Sequence, residues 1–115
     1  MRILLNADIG ESYGPWTMGN DELLMPVIDM ANIACGGHAS DPVTMSKTVR
    51  LALNHKVMLG AHPSYPDRLG FGRRTMVMPP FELTAHVIAQ VGALQAIAKA
   101  EGAALSYVKP HGALY

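Results

Sequence analysis

Four short apolar runs in this chain each give way to residues that can do chemistry. Asp8 and Glu11 come after residues 2–7, and His38 and Asp41 after 30–35. His62 and Asp67 come after 56–61, and His111 after 104–109. Histidine titrates near neutrality, so with carboxylates it can move protons without a metal. The same residue types can hold a divalent metal and activate water. A third reading is structural: a histidine at a strand end can simply satisfy backbone groups. Three histidines and two acids at matched positions favour a shared cleft. The spacings match neither HExxH nor CxxC, so local sequence does not single out a metal site. A metal would draw on Asp8, His38, His62 and His111.

The positions share a rim only if the runs are parallel strands. "RILLNA" (2–7), "MANIAC" (30–35), "KVMLGA" (56–61) and "ALSYVK" (104–109) each stop at Gly, Pro or a polar residue, as buried strands do. Helical stretches lie between them. Residues 21–28 are short, with Asp21 as cap. Residues 41–55 start with Asp41 as N-cap and Pro42 at the first helical position. Residues 79–102 repeat Leu83, Val87, Val91, Leu94 and Ile97 at helical spacing and end near Gly102. The order β-α-β-α-β-α-β implies a parallel sheet with right-handed crossovers, open or closed into a barrel. In either form function sits at the C-terminal strand ends. His55 ends a helix and His86 lies inside one, so neither joins the rim.

Alternation along a strand puts Asn6 and Asp8 on one face, and Lys109 and His111 on one face. An inward Lys109 needs a counter-charge, which Asp8 or Glu11 can supply. The 19 residues from His62 to Pro80 hold four prolines and are long for a βα loop, as functional loops are. Within them "GFGRR" offers Arg73 and Arg74 as fork-shaped donors for a carboxylate or phosphate; the plain alternative is a solvated pair. Cys35 could pair with His38 or His62, but a small buried residue at the sheet rim is the simpler reading. Trp16 either covers the cleft mouth or closes the first loop.

Composition sets the bounds. The chain has 115 residues, half of them hydrophobic, enough for one domain with a core. Nine basic and nine acidic side chains cancel, which argues against a nucleic-acid surface or a polybasic membrane anchor. No window approaches the ~20 apolar residues of a membrane span, and the N-terminus lacks a secretory apolar run. One cysteine excludes an intrachain disulfide, which fits a reducing cytoplasm. No P-loop motif occurs.

Four stretches, "LLNADIGESYGPW", "ANIACGGHASDP", "GAHPSYPDRLGFGRR" and "VKPHGALY", together resemble the LamB/YcsF family, the A subunit of bacterial 5-oxoprolinase. Two departures stand out. Ala7 stands where the family usually has Cys, which weakens a thiol at strand one. Gly37 stands where it usually has Phe, which removes an aromatic wall beside His38. The resemblance implies the N-terminal half, about four strands and three helices, of a parallel (β/α) barrel of the glycoside hydrolase/deacetylase type, truncated within residues 1–115. It implies ATP-dependent opening of 5-oxo-L-proline to L-glutamate with separate B and C subunits. Asp8, Glu11, His38, His62 and His111 would then position and activate water. Asn6, Lys109 and the Arg73/Arg74 pair would hold the substrate. The competing expectation is a catalytically inactive half-barrel that binds a partner, associates with itself or merely persists.

Overall fold

The computed structural model describes all 115 residues. The strands are β1 (Asn6–Ile9), β2 (Met30–Ala34), β3 (Met58–His62) and β4 (Tyr107–Val108). The helices are α1 (Asp21–Leu24, continued by a 3-10 turn Met25–Val27), α2 (Pro42–Asn54) and α3 (Pro80–Ala100). A last 3-10 turn spans Gly112–Leu114. All strands are parallel and lie in the order β1-β2-β3-β4. A doubly wound sheet would reverse direction at a switch point. Here every crossover steps the same way, so right-handed connections put the helices on one face and leave the other as a barrel interior.

The helices form for local reasons; α1 is capped by Asn20, whose Oδ1 accepts from the Leu23 amide at 3.3 Å, and not by Asp21 as expected. Asp41 Oδ1 accepts from the Val43 and Thr44 amides at 2.9 Å, and Pro42 presets the first turn. Met45, Thr48, Val49 and Ala52 then form the buried stripe of α2. Proline at the first helical position also opens α3, which buries Gln90, Leu94 and Ala98 at four-residue spacing. The expected stripe of Leu83, Val87, Val91 and Ile97 flanks these as half-buried positions. Gly102, with φ of 78°, follows the helix end as expected. Another expectation needs correcting: α3, at 21 residues, is long and apolar enough by length and composition to cross a membrane. The cause is an alanine-rich sequence with few charges. In the fold α3 lies against the sheet and α2 through Leu94 and Ala98, which join the core with Ile9, Ile33, Val49 and Leu59.

Sheet register decides what faces the interior. Asp8 pairs with Asn32, Asn32 with Gly60 and Gly60 with Tyr107. Partners across a parallel ladder share a face, so these four residues form one row. The neighbouring row, Ile9, Ile33 and Ala61, faces the helices and is buried. Ala7 belongs with this apolar face and packs against the core, so residue 7 does not reach the cleft. β1 begins at Asn6 rather than Arg2, because β2 offers a partner only from Met30; Ile3 stays exposed. Asp8 therefore stands inside the strand, not after it.

Candidate active site

The inner row is a continuous hydrogen-bonded chain. The Tyr107 hydroxyl donates to Asn32 Oδ1 at 2.6 Å. Asn32 Nδ2 donates to Asn6 Oδ1 at 2.8 Å and to Asp8 Oδ1 at 2.9 Å. Lys109 Nζ completes the chain with a 2.9 Å ion pair to Asp8. Gly60 makes this possible: a Cβ there would occupy the space of the Tyr107 ring, which crosses β3 to reach Asn32. Burial pushes the Asp8 carboxyl up. The hydrogen bonds from Lys109 and Asn32, with His62 nearby, outweigh it and hold Asp8 below the usual carboxylate range. Burial, with Asp8 close by, raises the Tyr107 hydroxyl to about 12, so it stays a donor at neutral pH.

Above this row three histidines converge. His62 is the last residue of β3, His38 leaves the β2 loop and His111 follows β4. His38 and His111 stack with ring centroids 3.6 Å apart, and His62 meets both edge-on. His38 Nε2 lies 2.5 Å from Glu11 Oε2, and His62 Nε2 lies 3.4 Å from Asp8 Oδ1. Burial pushes both His62 and His111 below the usual imidazole value, and carbonyl and carboxylate contacts offset only part of this. The loop after β3 closes over the cluster. Its Phe71 ring packs edge-on against His38 at 4.9 Å and His111 at 5.1 Å between centroids. Gly72 lets it come this close: at φ of 66°, a Cβ would lie 2.9 Å from His38 Cβ and 3.0 Å from His111 Cδ2.

The expected rim residues separate into two groups. Asp8, Glu11, His38, His62, His111 and Lys109 come together, and Asn6 joins through Asn32. Asp41 and Asp67 do not. Asp41 caps α2 and also accepts from the Gly14 amide at 2.9 Å; these bonds, led by the Thr44 hydroxyl, lower it to about 2. Asp67 forms an ion pair with Arg74, which lowers it to about 2 as well. Arg74 is thus engaged outside the cluster, while Arg73 lies over the Phe71 ring, 5.3 Å from its centroid. Cys35 is buried and its thiol is pushed up to about 12, so it is a packing residue and not a nucleophile. Trp16 is exposed and exchanges backbone hydrogen bonds of 2.8 and 2.9 Å with Tyr13, closing the first loop.

Two further points concern walls and ligands. Glycine at position 37 does not strip His38 of an aromatic neighbour, because Phe71 supplies it. A Cβ at Gly37 would instead run into the Gln90 and Ser64 side chains. The groups able to share a cation are Glu11, His38, His62 and His111, one ligand atom of each lying within 4.8 Å of the others. Glu11 is the carboxylate of that set; Asp8, also expected there, lies beside it, with Oδ1 bonded to Lys109 and Asn32 and 3.4 Å from His62 Nε2. Sequence reasoning missed Asn32, Tyr107 and Phe71. The signals were present: an Asn inside an apolar strand, a Tyr two residues before Lys109, and an aromatic between two loop glycines.

The one-way strand order and the polar rim define the class: part of a parallel (β/α) barrel carrying a histidine–carboxylate site at its C-terminal strand ends. Comparison with known proteins narrows this. The chain belongs to the LamB/YcsF family, whose model matches residues 3–115. It is 63% identical over 113 residues to the A subunit of 5-oxoprolinase from Vibrio cholerae, covering 98% of this chain and 46% of that protein. It is 63% identical over 114 residues to the counterpart from Azoarcus sp., covering 99% and 44%. The crystal structure of a lactam utilization protein from Thermus thermophilus superposes with a TM-score of 0.98 at 52% identity, over 100% of this chain and 47% of that one. The partial-barrel fold is thereby established, and the chain spans about half the length of the relatives it matches.

Proposed function

We propose that the chain supplies the first half of the substrate site of an ATP-dependent 5-oxoprolinase, working with B and C subunits in the cytoplasm. The observation that carries this is the rim cluster itself: three histidines, Glu11, Asp8 and Lys109 gathered on one interior face, in a chain 63% identical to a protein named for that activity. Opening the lactam adds water to the carbonyl carbon, breaks the C–N bond and leaves the amine with a proton. Asp8, Glu11, His38, His62 and His111 position and activate that water. The two imidazoles held neutral by burial are suited to accept its proton. Lys109 and Asn6 face the cleft where the substrate carboxylate would lie. Arg73, on the loop, would meet a carboxylate or phosphorylated intermediate at the mouth, while Arg74 stays paired with Asp67. ATP would be consumed by the assembled complex, since this sequence has no P-loop.

Mixing the chain with B and C subunits, and with the second barrel half of a relative, should give 5-oxoproline-dependent release of ADP. His62→Ala should abolish it. Equal turnover by both proteins would sink the proposal.

A second reading has its own support. Ile3, Leu69, Val77, Phe81 and Ile88 are all exposed, and β1 and β4 each have a free edge. On this reading the half-barrel acts only through a partner or through self-association. Sedimentation should then show dimers or larger species; a cooperative monomer would count against it.

A further inference from the structure

The hydrogen bonds around the histidines fix which ring nitrogens carry protons. His62 Nδ1 lies 2.6 Å from the Lys109 carbonyl oxygen, and His111 Nε2 lies 2.8 Å from the Phe71 carbonyl oxygen. A backbone carbonyl can only accept, so each of these nitrogens must be an N–H donor. In the neutral rings the other nitrogens, His62 Nε2 and His111 Nδ1, then carry lone pairs. Those two atoms face each other at 3.0 Å. Two acceptors in contact repel unless a cation lies between or beside them. Glu11 and Asp8 add further acceptors; the one donor is His38 Nε2, 2.5 Å from Glu11 Oε2, whose proton a cation held by both groups would displace. Glu11 Oε2 is 4.0 Å from His111 Nδ1 and Asp8 Oδ1 is 3.4 Å from His62 Nε2. His38 Nδ1 is the one buried side-chain polar atom in the protein without a hydrogen-bond partner.

We propose that Glu11, His38, His62 and His111 form a binding site for a borderline divalent cation such as zinc or cobalt, complete within this chain. The donor set fits: imidazole nitrogens and one carboxylate are the ligands such ions take, whereas magnesium and calcium prefer all-oxygen sites. The two carbonyls play the part usual for metal-binding histidines, fixing each ring by its remote N–H. Phe71 gives the site a dry wall and, through its own carbonyl, orients His111. Its backbone φ of 54° is unusual for a large residue, and it is what this chain accepts to hold that carbonyl and that ring in place. When bound, the ion would supply an electrophile for a carbonyl or a water of lowered pKa.

The proposal stands on this geometry and does not depend on the 5-oxoprolinase reading. The test therefore uses metal binding alone, on the untagged chain. After stripping with a chelator, zinc and cobalt are titrated by calorimetry, and the visible spectrum of the cobalt form is recorded. The expected result is one ion per chain, cobalt bands of nitrogen–oxygen coordination, and a rise in melting temperature with added zinc. His111→Ala and Glu11→Gln should each weaken binding by more than about tenfold, the scale set by losing a group that supports a metal. His86→Ala, on the exposed side of α3, should bind as the parent does. Should a His variant fail to fold, Glu11→Gln and the parent's cobalt spectrum still decide. Absence of a stoichiometric ion, or equal binding by Glu11→Gln and the parent, overturns the proposal.

Discussion

Ile9, Ile33 and Ala61 stand in one row of the sheet and Asp8, Asn32, Gly60 and Tyr107 in the next, one residue away along the same strands. The first row is apolar and buried under α2 and α3. The second is a hydrogen-bonded chain that ends at the histidine cluster. The two faces differ in what holds them. The helix side is stabilised by area removed from water, which is non-directional and tolerant of shape changes that conserve volume. The cleft side is held by directional bonds whose partners are costly to lose. Mutations should therefore cost mainly stability on the helix face, and both stability and site geometry on the cleft face.

The strongest break should come on the helix side. Ile33→Ala, at a fully buried position, should destabilise by about 2–5 kcal/mol in urea titration and leave metal binding by the surviving folded fraction unchanged. Next is Gly60→Ala, where the new methyl enters the space of the Tyr107 ring. It should cost about 1–3 kcal/mol and detach the Tyr107 hydroxyl from Asn32. Asn32→Ala should cost about as much, roughly 1–3 kcal/mol, by stranding buried partners. It should also let the Asp8 carboxyl rise toward its ordinary value in a carbon-detected NMR titration, since one of the bonds lowering it is gone. An unmoved Asp8 would remove Asn32 from the site.

The smallest effect belongs to neither face. Asp41→Ala removes the α2 cap and should cost about 1 kcal/mol near neutral pH. The folded value of about 2 lies below the ordinary 3.8. Its contribution is therefore complete above about pH 4 and is lost as pH falls toward 2. The melting temperatures of the variant and the parent should converge over that interval.

Much of this contrast could be read from residues alone. The four parallel strands, α2 with its Asp41 cap, and the convergence of three histidines with Asp8 and Glu11 followed from strand-end positions and alternation. Lys109 found Asp8, one of the two counter-charges expected for it. What escaped was set by register. Nothing local says that Asn32 stands beside Asp8, or that Gly60 clears a path for Tyr107; those facts appear only once strands are paired. The ends of β1 and β4 escaped for the same reason, since an apolar run becomes a strand only where a neighbour pairs with it. The loop over the site escaped because Phe71 is placed by a left-handed backbone, and Asp67 takes Arg74 away from the cluster by a contact that spacing does not encode.

The central claim is that the cleft face ends in two imidazole lone pairs aimed at one point. Nitrogen-15 NMR of the histidine rings in the metal-stripped chain near pH 8 tests it most directly. The account predicts protons on His62 Nδ1 and His111 Nε2, bare nitrogens at His62 Nε2 and His111 Nδ1, and a shift of both bare signals when zinc is added. A proton on His62 Nε2 or His111 Nδ1, with zinc leaving the signals in place, would contradict it.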